Sequence, residues 1–149
     1  MPDSGAEIEV KHGHFYEDLA VGQSARMERL VDDALIRQFT ALSGDDNPVH
    51  LDEEYARKTR FGGRIAQGML GATFISAVIG SRLPGHGTIY LSQSLKFLSP
   101  VKIGDRVTTE ATIAELRPEK SRAVLKTVCR VGDRITIEGE ALVMVPRRK

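Results

Sequence analysis

Tryptophan is absent from this sequence of 149 residues, and aromatic side chains make up only 5% of it. The charges nearly cancel, with 21 Lys+Arg against 20 Asp+Glu. A nucleic-acid surface wants stacking side chains and a basic excess, so that class of partner is excluded. The tail Arg147-Arg148-Lys149 is too short to alter the balance. A single cysteine, Cys129, cannot close an intramolecular disulfide and supplies no set of thiolates for zinc, which fits a reducing compartment. Long apolar runs are missing too. The longest charge-free stretch, Ile65 to Ser81, contains Gln67, Thr73 and Ser76 and falls short of the ~20 apolar residues that span a bilayer. The first segment, MPDSGAEIEVKHGHF, carries Asp3, Glu7, Glu9 and Lys11 and has no apolar centre of the signal-peptide kind. The expectation is a cytoplasmic protein with no membrane and no nucleic-acid partner.

What is present is a globular mixture, 41% apolar and 28% charged. A chain of this size buries roughly 68–70% of its unfolded surface in one core. No repeat and no low-complexity tract divides it. We expect a flexible leader over residues 1–15 and one domain over 16–149. Ser24 to Val31 reads as a strand; Asp32 or Asp33 then caps a helix through Leu42, with Leu35, Ile36, Phe39 and Leu42 at helical spacing and Ser43-Gly44 as its stop. The following GDDNPVHLDEEYARKT reads as a loop ending in a short surface helix over Asp52 to Thr59. Ile65 to Leu83 is helical in length and apolar nearly all round, so it must be enclosed by protein. Four strands follow, Thr88–Ser99, Arg106–Leu116, Arg122–Val131 and Arg134–Val145, with Gly132-Asp133 as a tight hairpin turn.

One enclosed helix followed by a four-strand meander, with a further strand from the first half, predicts an α+β hot-dog fold: a curved antiparallel β-sheet wrapped around a central buried helix. A single sheet covers one side of such a helix, so edge-to-edge pairing into a homodimer is expected.

The chemistry concentrates in Ser43 to His50, SGDDNPVH. Asp45 and His50 stand five residues apart, with Asn47 and Pro48 between them to stiffen the backbone. A rigid loop with a carboxylate and an imidazole can place both on one substrate atom, although turns attract the same residue types for purely local reasons. His50, Asp52 and Glu53 are a weak set of metal ligands, and Gly62-Gly63-Arg64 lacks the Lys-Ser/Thr ending of a P-loop, so no metal and no cofactor is expected. On the strand after the helix, Ile89, Leu91, Gln93, Leu95 and Phe97 share a face; Gln93, its one polar member, reads as packing support.

SGDDNPVH, followed by RIAQGML and then LPGHGTIYLSQSLKFLSPVKIGDRV, resembles the MaoC-like or hydratase-2 family of (R)-specific enoyl-CoA hydratases, whose signature runs GDxNPxH. The resemblance extends over nearly the whole domain. It implies a hot-dog dimer without metal that takes an acyl-CoA thioester and adds water to trans-2-enoyl-CoA, giving (R)-3-hydroxyacyl-CoA. It further implies Asp45 and His50 as the catalytic pair, with acid and base roles unassigned, and Asn47 as support for their loop. Gly68 matches the glycine whose backbone N–H faces the thioester oxygen, a role that also suits the first residue of a helix. Ser76 falls where the family places a serine near the active site, although a helical serine can equally bond the carbonyl of Ala72. Gln67 departs from the family's usual histidine. The rival readings are a hot-dog acyl-CoA thioesterase, a 3-hydroxyacyl-carrier-protein dehydratase and a non-catalytic acyl-CoA binding protein. For the CoA nucleotide, Lys96, Lys102 and Arg64 are the basic residues considered.

Overall fold

The computed structural model describes residues 12–148. Most of the expected leader lies outside that range. Its last residues, 12–15, run beside the 84–86 turn, where Gly13 N donates to His86 O (3.1 Å) and His14 N to Pro84 O (2.7 Å).

The first half begins with strand β1, Ser24–Leu30, and helix α1, Asp33–Ser43. Asp32 caps α1, its Oδ1 accepting from Leu35 N at 2.9 Å, and Gly44 ends it at φ 82°, a left-handed conformation that glycine adopts without strain. Two short helices follow, α2 over Pro48–Leu51 and α3 over Glu53–Arg57. Residues 48–51 are therefore helical and not loop: Pro48 sits at the first position, where its missing N–H costs nothing, and Asn47 Oδ1 caps Val49 N at 3.4 Å. The long helix, α4, covers Gly68–Ser81. It starts later than Ile65 because Ile65 pairs with Lys102 as an isolated bridge and Ala66 N donates to Val101 O at 2.7 Å.

Strands β2 (Ile89–Gln93), β3 (Lys96–Phe97), β4 (Arg106–Arg117), β5 (Arg122–Val131) and β6 (Arg134–Met144) complete one antiparallel sheet in the order β1-β4-β5-β6-β2. Two expectations change here. The meander is three strands, β4-β5-β6, because β2 crosses to the far side and pairs with β6. The expected strand over 88–99 is broken into two pieces, both on β6. At the break the Ser94 carbonyl presses on β6, and a Cβ on Gly139 would collide with it.

The apolar side of α4, with Leu70, Phe74, Ile75, Val78 and Ile79, is buried on the sheet against Val107, Ala111, Ile113, Leu125 and Cys129. This is the hot-dog arrangement. Along its other side Met69, Thr73, Ser76 and Gly80 form an exposed stripe in the single chain. The sheet margin at β2 is likewise uncovered, with Ile89 and Leu91 exposed.

Candidate active site

Short-range bonds from side chain to backbone build the site. Ser43 Oγ donates to Phe39 O at 2.7 Å and accepts from Asp45 N at 3.1 Å, fixing the exit of α1. Asp45 Oδ1 accepts from Asn47 N at 3.2 Å, and Asn47 in turn caps α2. That helix carries His50 into the protein, where the residue is 7% exposed.

The histidine's two nitrogens are distinguished by their partners. Nδ1 lies 2.8 Å from the carbonyl of Ile65, which can only accept, so Nδ1 carries the proton and Nε2 is left as a lone pair. Nε2 stands 3.9 Å from Asp45 Oδ2. That gap is too wide for a hydrogen bond between them and suits a small molecule held by both. Asp45's side chain is 42% exposed, so the pair spans the boundary between interior and solvent.

Arg64 ties this segment down. Its Nε donates to His50 O at 2.8 Å and its Nη2 to Asp33 Oδ1 at 2.6 Å, joining α2 to the start of α1. The Arg64 and Arg37 guanidiniums beside Asp33 hold its carboxyl below the usual carboxylate range. Having these partners, Arg64 is a clasp within the fold and not a free contact for a nucleotide. The carboxylates flanking His50 are also used: Asp52 Oδ1 caps α3 at Tyr55 N (3.1 Å), and Glu53 Oε2 accepts from Arg64 N (3.4 Å).

Gly68 is the first residue of α4, and its N–H has no acceptor among the described residues. A Cβ there would stand 2.9 Å from Phe97 Cδ1, so any larger residue would have to push the Phe97 ring aside. Gln67, just before it, is 3% exposed. Its Nε2 donates to Ile36 O and Thr40 Oγ1, both at 3.1 Å, which fastens the start of α4 to α1. Ile36 O is an acceptor, so the amide cannot be flipped, and Oε1 stays buried without a partner among the described residues. Sequence reasoning registered Gln67 as a departure and missed this role; the available signal was a glutamine inside an otherwise apolar run.

A cavity of about 250 Å³ joins these parts, lined by His50, Gln67 and Gly68 and by apolar side chains that include Leu70, Phe74, Phe97, Val101 and Ile137. Asp45 and Asn47 are not among its lining residues; Asp45 is linked to it only through the 3.9 Å approach to His50, and Asn47 through its cap on α2. Ser76 is not a lining residue; it is exposed on α4, about 12 Å along the axis from Gly68 at 1.5 Å per residue. Gln93 is also elsewhere, donating to Thr127 Oγ1 (2.9 Å) and Ser94 O (2.8 Å) and accepting from the Tyr90 hydroxyl. That is a packing role. Cys129 is buried, its thiol pushed up by that burial, and it stands against Thr109 Oγ1 at 3.4 Å.

Residues 18–136 match the family model described as MaoC like domain. The chain belongs to the MaoC-like domain family. Among MaoC-like relatives, an (R)-specific enoyl-CoA hydratase of Rhodospirillum rubrum is 52% identical over 135 residues, covering 91% of this chain and 94% of the relative. A 3-hydroxybutyryl-CoA dehydratase of Methylorubrum extorquens is 46% identical, covering 91% of this chain and 86% of the relative. The unliganded structure of an R-hydratase from Pseudomonas aeruginosa superposes with a TM-score of 0.86 at 41% identity, over 91% of this chain and 88% of that one.

Proposed function

We propose that this MaoC-like protein is an (R)-specific enoyl-CoA hydratase, a hydro-lyase that interconverts trans-2-enoyl-CoA and (R)-3-hydroxyacyl-CoA. The observation that carries the reading is the 3.9 Å separation of Asp45 Oδ2 and His50 Nε2, with His50 lining the same cavity as Gly68, whose N–H has no acceptor among the described residues. The names of the relatives, a hydratase and a dehydratase, support it from both directions of one reaction.

In this mechanism a water molecule donates its hydrogens to Asp45 and to the lone pair of His50 Nε2. As its oxygen attacks Cβ of the enoyl thioester, one proton passes to the pair, and a proton returns from the pair to Cα. The π electrons of the C=C bond move toward the thioester, whose oxygen gathers negative charge. Gly68 N–H, at the positive end of α4, donates to that oxygen. Asp45 also faces the imidazole as it becomes cationic, which favours the proton transfer. No cofactor enters any step. Asn47 maintains the loop, and Ser76 stands outside this chain's own cavity.

The assembly in this reading is a homodimer in which a second copy covers the β2 margin and the exposed stripe of α4, and the protein works in the cytoplasm on fatty-acid intermediates. Residues 16–149 act as one domain behind a leader. A crotonyl-CoA assay tests the activity. Loss of enoyl absorbance with no free thiol supports hydration; release of thiol would instead indicate a thioesterase; no change with any acyl chain would refute both enzymes and leave a binding protein. Turnover of the carrier-protein thioester alone would indicate the dehydratase of that carrier.

A further inference from the structure

Among the residues that line the cavity, Arg60 is the one Arg or Lys, placed with Phe61, Ser99 and Pro100 in its wall. It belongs to the turn after α3 and is exposed. Its guanidinium lies 4.9 Å from the centroid of the Phe61 ring, a cation–π contact that holds the charged head in place. No carboxylate lies within ion-pair distance of Arg60 among the described residues, nor of Arg57 or Lys58 just before it. Arg64, four positions on, differs in having both Asp33 and the His50 carbonyl as partners.

We infer that Arg60, backed by Arg57 and Lys58, is the subsite for the phosphate groups of the CoA moiety. The inference rests on the hydratase reading for the identity of the ligand. A thioester oxygen at Gly68 N–H leaves the pantetheine arm to run outward past apolar side chains, of which Phe97 and Leu98 are each 52% exposed. The anionic end then meets a guanidinium, whose planar fork matches phosphate oxygens. With a net charge of only +1, the protein has little general attraction for an anion, so a local cluster has to supply it. Lys96 and Lys102 do not line the cavity.

Two measurements on the full chain test this. Binding of butyryl-CoA, which has no double bond to hydrate, is followed by calorimetry, and turnover of crotonyl-CoA is compared with that of the crotonyl thioester of N-acetylcysteamine, which lacks the phosphates. Arg60→Gln is expected to weaken butyryl-CoA binding about 10-fold and to lower the CoA-to-truncated ratio of kcat/KM by a similar factor, as suits a charge-assisted contact at a rim. Arg60→Lys restores part of both. Raising the ionic strength to about 1 M, where screening acts over ~3 Å, removes the difference between wild type and Arg60→Gln. Unchanged binding and an unchanged ratio in the Arg57→Gln/Lys58→Gln/Arg60→Gln triple variant would overturn the subsite. Equal losses on both thioesters would overturn it as well, since the phosphates would then be irrelevant. If wild type hydrates neither thioester, the hydratase reading fails, while butyryl-CoA affinity still reports on Arg60.

Discussion

The two halves of this protein are held together by different kinds of bond. From β4 onward, long strands pair in register, and their inward side chains, such as Val107, Ile113, Leu125 and Val143, are all but fully buried. Between residues 32 and 68 there is little sheet and little core of that kind; geometry comes from caps and short side-chain bonds at Asp32, Ser43, Asn47, Arg64 and Gln67. Labour is divided accordingly: the sheet half holds the buried core, and the helical half positions Asp45, His50 and Gly68 through local bonds.

Substitutions can break that division. The largest effect on activity in the helical half is expected from His50→Ala, a fall in kcat of about 10²-fold or more with a smaller drop in melting temperature than a core deletion causes, read by the crotonyl-CoA assay beside calorimetry. Leu125→Ala should do the opposite. Removing that fully buried side chain costs about 2–5 kcal/mol in denaturant unfolding, while the folded fraction keeps its kcat. A His50 variant that melts much earlier, or a Leu125 variant that loses kcat while folded, would erase the distinction.

Gly68 sits where the halves meet and sharpens it. Gly68→Ala pushes a methyl against Phe97 and should lower kcat about 10-fold, with overpacking costing about 1–3 kcal/mol. Phe97→Leu in the same chain should recover part of both, which a double-mutant cycle would register as coupling.

The smallest effect concerns Asp33 and Arg64. Asp33 titrates lower in the folded protein than in the unfolded chain, so its contribution to stability is present above the ordinary aspartate pKa and is lost as pH falls through the depressed value. Arg64→Gln removes the main cause. Acid unfolding curves of wild type and Arg64→Gln should therefore diverge above the ordinary aspartate pKa and converge in strong acid. Parallel curves would mean that the clasp contributes nothing to folding.

Much of this was legible in the sequence for physical reasons. Caps announce themselves, so Asp32 and Gly44 bound α1 as expected, and period-2 patterning located β4, β5 and β6 within a residue or two. What stayed hidden depends on contacts between distant segments. The pairing of β2 with β6 has no local signal, and the break at Ser94 reflects the close approach of Gly139. The start of α4 was misplaced because bonds from Lys102 and Val101 hold Ile65 and Ala66 extended against their helical periodicity. Within the site, the Asp45–His50 spacing by itself reads as an ordinary turn and the family resemblance singled the pair out; the fold brings the two to 3.9 Å. Neither the Gln67 clamp nor the rim position of Arg60 could be read, since each is defined by a partner far along the chain or by the cavity itself.

In the proposed mechanism Asp45 and His50 act together on one water molecule. Asp45→Asn tests this, because it keeps size and removes the carboxylate charge. Hydration of crotonyl-CoA is expected to fall by about 10²-fold or more in Asp45→Asn while the melting temperature and the affinity for butyryl-CoA stay near wild type. Hydration at close to the wild-type rate in Asp45→Asn would contradict it.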